Sequence, residues 1–295
     1  MKVNCGVVTI FFICCVFFST DLHVYENDLE KLQSKNNQIV PWGQKLVGVD
    51  YSTGKDVKVA VLDSGINDNH EDLKGKVVKK FNAIHPSEKV KDDFGHGTAV
   101  AGIISGNHND IGIVGITQSV SIYDVKVLDE KGKGTIDSLI RGIQWSIDEG
   151  VDIINISLGV ENDSEELHAV IKKAISSDII IVAAAGNTYG LYVQYPAKYE
   201  GVLSISSIDE NLHSTYSATS GKIDFVAPGQ NILSTSSNGE YQLFEGTSFA
   251  TPFITGFTAS ILSHSSSKVS IDNVLQSLKK HFNFAETNMN HKGRE

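Results

Sequence analysis

From residue 56 onward, short apolar runs alternate with longer stretches in which apolar residues recur at helical spacing. The short runs are rich in β-branched residues and nearly continuous in apolar character, which is typical of parallel strands covered on both faces. Five runs predict strands: Val57–Leu62, Ser121–Val127, Asp152–Ile156, Ile179–Ala184 and Val202–Ser206. The pattern therefore predicts a sheet of buried parallel strands.

The intervening stretches predict helices that dock onto this sheet. One apolar stripe recurs at i, i+3, i+4, i+7 and i+11, and it consists of Ile136, Leu139, Ile140, Ile143 and Ile147. A second helix is predicted over Ser164–Ser176. With right-handed crossovers, these units predict a three-layer, doubly wound α/β fold with a mainly parallel sheet and helices on both faces. We expect the functional site at the carboxyl ends of the strands.

Composition and charge narrow the function classes. The chain has 295 residues, of which 41% are apolar, so it can bury a sizeable core. It carries 35 acids against 25 bases, a formal charge of −10, which is the wrong sign for binding nucleic acid or anionic lipid by charge. All three cysteines, Cys5, Cys14 and Cys15, lie near the N-terminus, which excludes cysteine catalysis and cysteine metal sites from the rest of the chain.

The N-terminal segment indicates the compartment. Residues 3–20 carry no charge and follow Lys2, which favours a secretory signal, although their length also reaches the lower limit for a membrane span. We therefore expect a secreted or extracytoplasmic monomer, with a retained membrane anchor as the alternative. The expected organisation is a signal or anchor over 1–20, a short pro-segment or linker over 21–37, one folded domain over 38–282 and a polar tail over 283–295.

Three motifs each place a reactive side chain beside glycine. Asp63 follows the first predicted strand in Asp63-Ser64-Gly65, His96 stands in the segment Gly95–Gly102, and Ser248 stands in Gly246–Pro252. Each motif alone has an ordinary explanation: an acid can cap a helix, a glycine loop can bind a dinucleotide, and a serine can be an N-cap.

Two specific alternatives fail on the residues themselves. A dinucleotide loop needs glycine at position 100, where this chain has Val100, and it needs a preceding strand. The nucleophile motif of α/β-hydrolases needs glycine where Ala250 stands.

Together, the order Asp, His, Ser and a fourth segment, Ala183-Ala184-Ala185-Gly186-Asn187, resemble the subtilisin-like serine proteases from about Gln38 to about Leu262. The resemblance implies a subtilisin-like fold and a serine endopeptidase. It implies that Ser248 is the nucleophile, His96 its base and Asp63 the group that orients His96. It further implies that Asn187 and the Ser248 N–H stabilise the oxyanion.

The resemblance also implies where a substrate would bind. An extended polypeptide would pair by backbone hydrogen bonds with Ser157, Leu158 and Gly159. The pocket for the residue before the cut would be lined by Gly186, Thr188 and Gln194. Many relatives have glycine at the last of these positions, so we expect Gln194 to shrink or repolarise the pocket.

Calcium is the cofactor that the resemblance implies. The expected structural site consists of hard oxygen ligands from Gln38, Asp72, Asn107, Asn109, Ile111 and Ile113. An EF-hand is not supported, because the alternation of ligands breaks at Ile111.

Two departures from the family pattern carry predictions. Phe249 follows the serine where many relatives carry an oxidisable methionine, so we expect resistance to peroxide. The stretch between Thr20 and Gln38 is too short for a folded inhibitory pro-domain, so we expect maturation by a short clip or a helper in trans. A broad degradative enzyme and a dedicated leader-peptide processing protease both fit, and an inactive peptide-binding scaffold is the alternative of another class.

Overall fold

The computed structural model describes Asp28, Leu32 and residues 37–215, 220–266 and 269–282. The expected signal or anchor, all of the linker except three residues, and the polar tail therefore lie outside the described residues. Within the described part of the chain, no helix is both long enough and apolar enough to cross a membrane.

A parallel sheet forms the centre of the protein. Its strands are β1 (Val57–Asp63), β2 (Val77–Asn82), β3 (Val120–Lys126), β4 (Ile153–Ile156), β5 (Ile180–Ala184), β6 (Val202–Ile208) and β7 (Phe225–Pro228). They lie in the order β2-β3-β1-β4-β5-β6-β7, and every neighbouring pair is parallel. Strands β8 (Ile232–Thr235) and β9 (Tyr241–Phe244) form a separate antiparallel hairpin.

Helices cover both faces of the sheet. They are α1 (Trp42–Val47), α2 (His96–Ser105), α3 (Ile136–Asp148), α4 (Glu165–Ser176), α5 (Thr247–Ser263) and α6 (Ile271–His281), with a short 3₁₀ turn at Glu71–Leu73. Along β1, Val59 and Val61 belong to the core with α2, α5 and α6, whereas Ala60 and Leu62 belong to the core with α3 and α4. Because side chains alternate across a strand, β1 supplies both cores. The predicted three-layer, mainly parallel α/β fold is confirmed.

The five predicted strands are all present, with ends shifted by at most two residues. The sequence analysis did not predict β2, because its residues from Val78 to Lys80 are exposed at the edge of the sheet and give no apolar run. The helix predicted over Ser164–Ser176 begins one residue later, since Ser164 is its N-cap and accepts a hydrogen bond from the Leu167 N–H.

The topology brings the carboxyl ends of β1, β4 and β5 side by side. Asp63 is the last residue of β1, and Asn187 follows shortly after β5. Helices α2 and α5, which begin at His96 and one residue before Ser248, pack against each other on one face. Asp63 and Asn187 therefore lie at the carboxyl edge of the sheet.

Candidate active site

Asp63 and His96 form a buried pair. The Nδ1 atom of His96 lies 2.8 Å from Asp63 Oδ1 and 2.9 Å from Oδ2, and the two side chains are 4% and 1% exposed. Asp63 Oδ1 also accepts a hydrogen bond of 2.7 Å from the N–H of Ser64. Since the carboxylate holds the proton at Nδ1, acid–base chemistry at this ring falls to Nε2.

Aromatic rings surround the imidazole. The ring of Phe249 lies 4.7 Å from that of His96, and the ring of Phe94 lies 6.3 Å away on a nearly parallel plane. Phe249 in turn contacts the ring of Phe244 at 4.8 Å. Phe249 directly follows Ser248, so the imidazole lies beside the first turn of helix α5, which holds Ser248 at 4% exposure.

Asn187 is held against the start of the same helix. Its Oδ1 accepts hydrogen bonds of 3.0 Å from both the N–H and the hydroxyl of Thr247. Because the carbonyl end of the amide is taken up in this way, its NH₂ group faces away from Thr247. Gly246 permits this approach, since a Cβ at that position would lie 2.8 Å from Asn187 Nδ2 and its φ is +123°.

The Ser248 N–H adds a second donor in this region. Ser248 is the second residue of α5, and the first N–H groups of a helix have no partner within it. These groups also form the positive end of the helix dipole, which favours negative charge. An amide NH₂ and a helix N-terminus near one serine form an arrangement suited to an anion.

The segment after β4 is largely buried. Ser157 and Leu158 are 0% and 1% exposed, and the Ser157 hydroxyl accepts a hydrogen bond from Asn155. Gly159, by contrast, is partly exposed.

Gln194 occupies the space between two glycines at the strand ends. A Cβ placed on Gly159 would lie 2.6 Å from Gln194 Oε1, and one placed on Gly186 would lie 2.8 Å from its Cδ. The backbone N–H of Gln194 bonds to Ala185 O, which fixes the main chain at this position. Thr188 closes the adjoining turn, because its hydroxyl bonds to the N–H and the carbonyl of Tyr192.

Oxygen atoms converge at the predicted metal site. Around Gln38 Nε2 lie Asn107 O at 2.6 Å, Ile111 O at 2.9 Å, Asn109 Oδ1 at 3.2 Å and Ile113 O at 3.3 Å. Backbone carbonyls and an amide oxygen around one point are the ligand types that Ca²⁺ prefers. No group of three or more His, Cys, Asp or Glu side chains that could hold a metal exists among the described residues.

Asp72 supplies the carboxylate of this site. Its Oδ2 accepts a hydrogen bond of 2.9 Å from the Ile113 N–H, and its buried Oδ1 has no hydrogen-bond partner in the described part of the chain. Burial raises the pKa of Asp72 to about 6. A buried carboxylate with an unused oxygen beside a ring of carbonyls fits a hard divalent cation, so the residues present suit calcium.

The structure therefore brings together the predicted residues in three groups. The first group lies at the starts of α2 and α5 and consists of Asp63, His96, Ser248 and Asn187. The second group lies around Gln194 at the ends of β4 and β5. The third group is formed by the oxygen atoms around Gln38. The sequence analysis missed Phe94, Phe244 and Asp92, which surround or support His96. A capping pattern gave a signal for Asp92, because an acid often stands shortly before the first residue of a helix.

The chain is similar to known proteins over most of its length. The model of the subtilase family matches residues 54–284. The chain is 46% identical over 202 residues to the minor extracellular protease Epr of Bacillus subtilis (strain 168), which covers 68% of this chain and 31% of that protein. It is 42% identical over 218 residues to subtilisin E of the same strain, which covers 72% of this chain and 56% of that protein.

Other relatives are covered more fully. The chain is 37% identical over 254 residues to the intracellular serine protease of Paenibacillus polymyxa, with 81% of this chain and 78% of that protein covered. Its structure is similar to the crystal structure of a cold adapted subtilisin-like serine proteinase, with a TM-score of 0.72, 28% identity, and 82% and 91% of the two chains covered. The chain thus spans just under a third of the minor extracellular protease Epr and just over half of subtilisin E.

Proposed function

The chain belongs to the subtilase family, and from that premise we propose that it is a secreted or surface-attached serine endopeptidase with Ser248 as its nucleophile. The observation that carries the proposal is the buried contact of Asp63 with His96, at 2.8 and 2.9 Å, beside the first turn of the helix that holds Ser248. Subtilases are serine endopeptidases, and this chain retains a carboxylate, an imidazole and a hydroxyl in the family order.

The chemistry begins at Ser248. A serine hydroxyl is almost wholly protonated at neutral pH, so it needs a base to become a nucleophile. His96 Nε2 takes the proton as Ser248 Oγ attacks the scissile carbonyl carbon, and Asp63 stabilises the imidazolium that forms. The imidazolium then gives its proton to the departing amine, which leaves an acyl-enzyme. Water, deprotonated by the same imidazole, releases the acyl group and restores the serine.

Asn187 acts on the charge that develops during attack. The carbonyl oxygen becomes an oxyanion, which would accept hydrogen bonds from Asn187 Nδ2 and from the Ser248 N–H. Because Thr247 already holds the amide at Oδ1, the donor is fixed before the reaction and costs no reorganisation.

The substrate is proposed to bind as an extended strand. The segment Ser157, Leu158 and Gly159, of which Gly159 is partly exposed, is proposed to pair with it by backbone hydrogen bonds, which suits recognition that is largely independent of substrate sequence. Gln194 is proposed to limit the residue before the cut, because its side chain already fills the gap between Gly159 and Gly186. Small side chains at that substrate position fit this gap best.

Calcium is proposed as a structural cofactor. Asp72, Asn109, Gln38 and the neighbouring carbonyls would hold it, and the ion would neutralise a carboxylate that is otherwise buried without a cation. A cation that binds only the folded chain stabilises it by mass action. Melting temperature measured with calcium, with excess chelator, and with magnesium added back tests this proposal; equal values in all three would contradict it.

Secretion rests on the uncharged segment at residues 3–20, which lies outside the described residues, and on the extracellular relative named above. Mass spectrometry of the protein recovered from culture medium and from membranes tests it. Recovery of the full chain in the cell interior would contradict secretion.

Covalent labelling tests the enzymatic proposal. A fluorophosphonate should react once per molecule, on Ser248, and Ser248→Ala should abolish both labelling and hydrolysis of a casein substrate. Ser237→Ala is the matched control, since Ser237 is a partly exposed serine on the β8–β9 turn. A folded protein that neither reacts nor hydrolyses would be a peptide-binding scaffold rather than a protease.

A further inference from the structure

A second carboxylate is buried beside the Asp63–His96 pair. Asp92 lies four residues before His96 and is 6% exposed. It accepts hydrogen bonds at both oxygens: at Oδ1 from Gly95 N (2.7 Å), Ser64 Oγ (2.8 Å) and Phe94 N (3.2 Å), and at Oδ2 from Thr98 N (3.0 Å) and Thr98 Oγ1 (2.5 Å). Nothing in the mechanism above uses this residue.

Ser64 links Asp92 to both members of the pair. Its hydroxyl donates to Asp92 and accepts a hydrogen bond of 3.0 Å from the N–H of Gly97, the residue after His96. Its own N–H donates to Asp63 Oδ1. The carbonyl of Ser64 accepts from the buried Lys126 ammonium, so every polar group of this residue is fixed.

Thr98 makes a matching link on the other side. Its hydroxyl donates to Asp92 and accepts a hydrogen bond of 2.9 Å from the N–H of Asn67. Each hydroxyl has one proton, and both protons point to Asp92 because an ionised carboxylate can only accept. A lone pair of the Ser64 hydroxyl is then left for the N–H of Gly97 on α2. A lone pair of the Thr98 hydroxyl is left for the N–H of Asn67 on the loop after β1.

The bonds from Phe94, Gly95 and Thr98 N–H alone would make Asp92 an ordinary helix cap. The bonds through Ser64 and Thr98 do more, because they join the loop that follows Asp63 to the helix that begins at His96. Those segments come from different parts of the chain, and a cap needs no such connection.

We propose that Asp92 is a positioning residue for the catalytic pair: by orienting the Ser64 and Thr98 hydroxyls, it fixes the loop after Asp63 against the first turn of α2 and so sets the Asp63–His96 geometry. The expected effect on kcat rests on the proposed protease function. The expected effect on the Asp63–His96 geometry rests on the hydrogen bonds alone. Asp92 does not touch the substrate in this assignment, so it acts on turnover and not on binding.

Asp92→Asn is the direct test. The amide replaces one acceptor oxygen with an NH₂ group, which would face either the Thr98 donors or the Ser64 and Gly95 donors. Because an NH₂ group cannot accept a hydrogen bond, the hydrogen bonds on that side of the network are lost. Misplacement of catalytic groups by about 1 Å costs up to about 10²-fold. We expect kcat per active site, counted by fluorophosphonate titration, to fall between about 10-fold and 100-fold, with KM changed less than about twofold.

Two further variants separate positioning from folding. Ser64→Ala removes the bridge and leaves the three N–H bonds of the cap, so it should lower kcat even if Asp92→Asn folds poorly. Because both residues act through one network, the double variant should cost no more than the larger single effect. Asp93→Asn is the matched control, since Asp93 is a partly exposed neighbour whose ion pair is with the exposed Lys91, and its kcat should equal that of the wild type.

A spectroscopic readout is independent of activity. The proton of His96 Nδ1, held by Asp63, should give a strongly downfield proton resonance, which should shift or broaden in Asp92→Asn and in Ser64→Ala but not in Asp93→Asn. The proposal is overturned if Asp92→Asn and Ser64→Ala leave both the resonance and kcat per titrated site unchanged. This holds even if the variants have fewer active sites or a lower melting temperature, and Asp92 is then only a helix cap. If the wild type neither labels nor hydrolyses, the proposed function fails, and the resonance still decides the role of Asp92.

Discussion

Removing the oxyanion donor tests the proposed site most sharply, because the structure separates its catalytic effect from its structural one. Asn187→Ala removes Nδ2, which is used only in the transition state, and it removes Oδ1, which accepts two bonds from Thr247. Losing one oxyanion donor costs ~3 kcal/mol, or about 10²-fold in kcat, while KM should change little. Losing two neutral hydrogen bonds at a half-buried position costs at most about 2 kcal/mol of stability.

Asn187→Asp is the matched variant for this experiment. Aspartate keeps an acceptor for both Thr247 bonds, but it replaces the donor with an oxygen that repels the oxyanion. We therefore expect kcat to fall by at least about 10²-fold in both variants. Only Asn187→Ala should lose melting temperature, by roughly 4–8 °C for about 2 kcal/mol in a domain of this size.

Steady-state hydrolysis of a chromogenic tetrapeptide and differential scanning calorimetry measure the two effects. The reasoning would be refuted if either variant kept kcat within about threefold of wild type, or if the loss fell on KM. It would also be refuted if Asn187→Asp lost as much stability as Asn187→Ala, since the Thr247 bonds would then not explain the difference.

Other predictions follow from single contacts. Asp63→Asn should lower kcat by about 10⁴-fold, because the imidazole would be held in the wrong tautomer; a loss below tenfold contradicts the assigned role. Phe249→Met should make hydrolysis sensitive to dilute peroxide, whereas the wild type should resist it, since its two methionines, Met1 and Met289, are both distant from Ser248 in the sequence; equal inactivation of both speaks against this. Gln194→Gly should raise kcat/KM for a substrate with phenylalanine before the cut relative to one with alanine, and an unchanged ratio removes Gln194 from the specificity pocket. Burial raises the pKa of Asp124 well above its usual range, so above about pH 4 only the unfolded chain releases this proton, and the folded state loses stability as pH rises. The stability of Asp124→Asn relative to wild type should therefore increase by about 1.4 kcal/mol per pH unit until the carboxyl of the folded protein ionises. A constant stability difference from pH 5 to 9 would contradict this prediction.

Local patterns predicted the fold because buried parallel strands and amphipathic helices each have a characteristic pattern of apolar residues in the sequence. The run Val57–Leu62 and the stripe ending at Ile147 both formed the elements they predicted. Strand β2 escaped prediction because an edge strand buries little and its lysines face solvent. Its pairing with β3 is a tertiary contact that no local apolar pattern records.

The reactive residues could be named from sequence because each lies in a short motif, but their supporting residues could not. Asp92 is one of 35 acidic residues, and the capping pattern before α2 does not distinguish it from the exposed Asp93. Its role depends on Ser64, which lies 28 positions earlier in the chain. The same holds for Gln194, whose contact with Gly159 exists only once two strands lie side by side.

The sequence by itself determined the order of strands and helices, the identity of the reactive groups and the oxygen-rich character of the loop from Asn107 to Ile113. The tertiary structure alone decided that Ser64 joins Asp92 to Asp63 through hydrogen bonds and that Thr247 holds the Asn187 amide beside the start of α5. The physical reason is that hydrophobic periodicity acts over a few residues, whereas hydrogen bonds among buried polar groups depend on distances below about 3.2 Å that only the packing of separate segments can set.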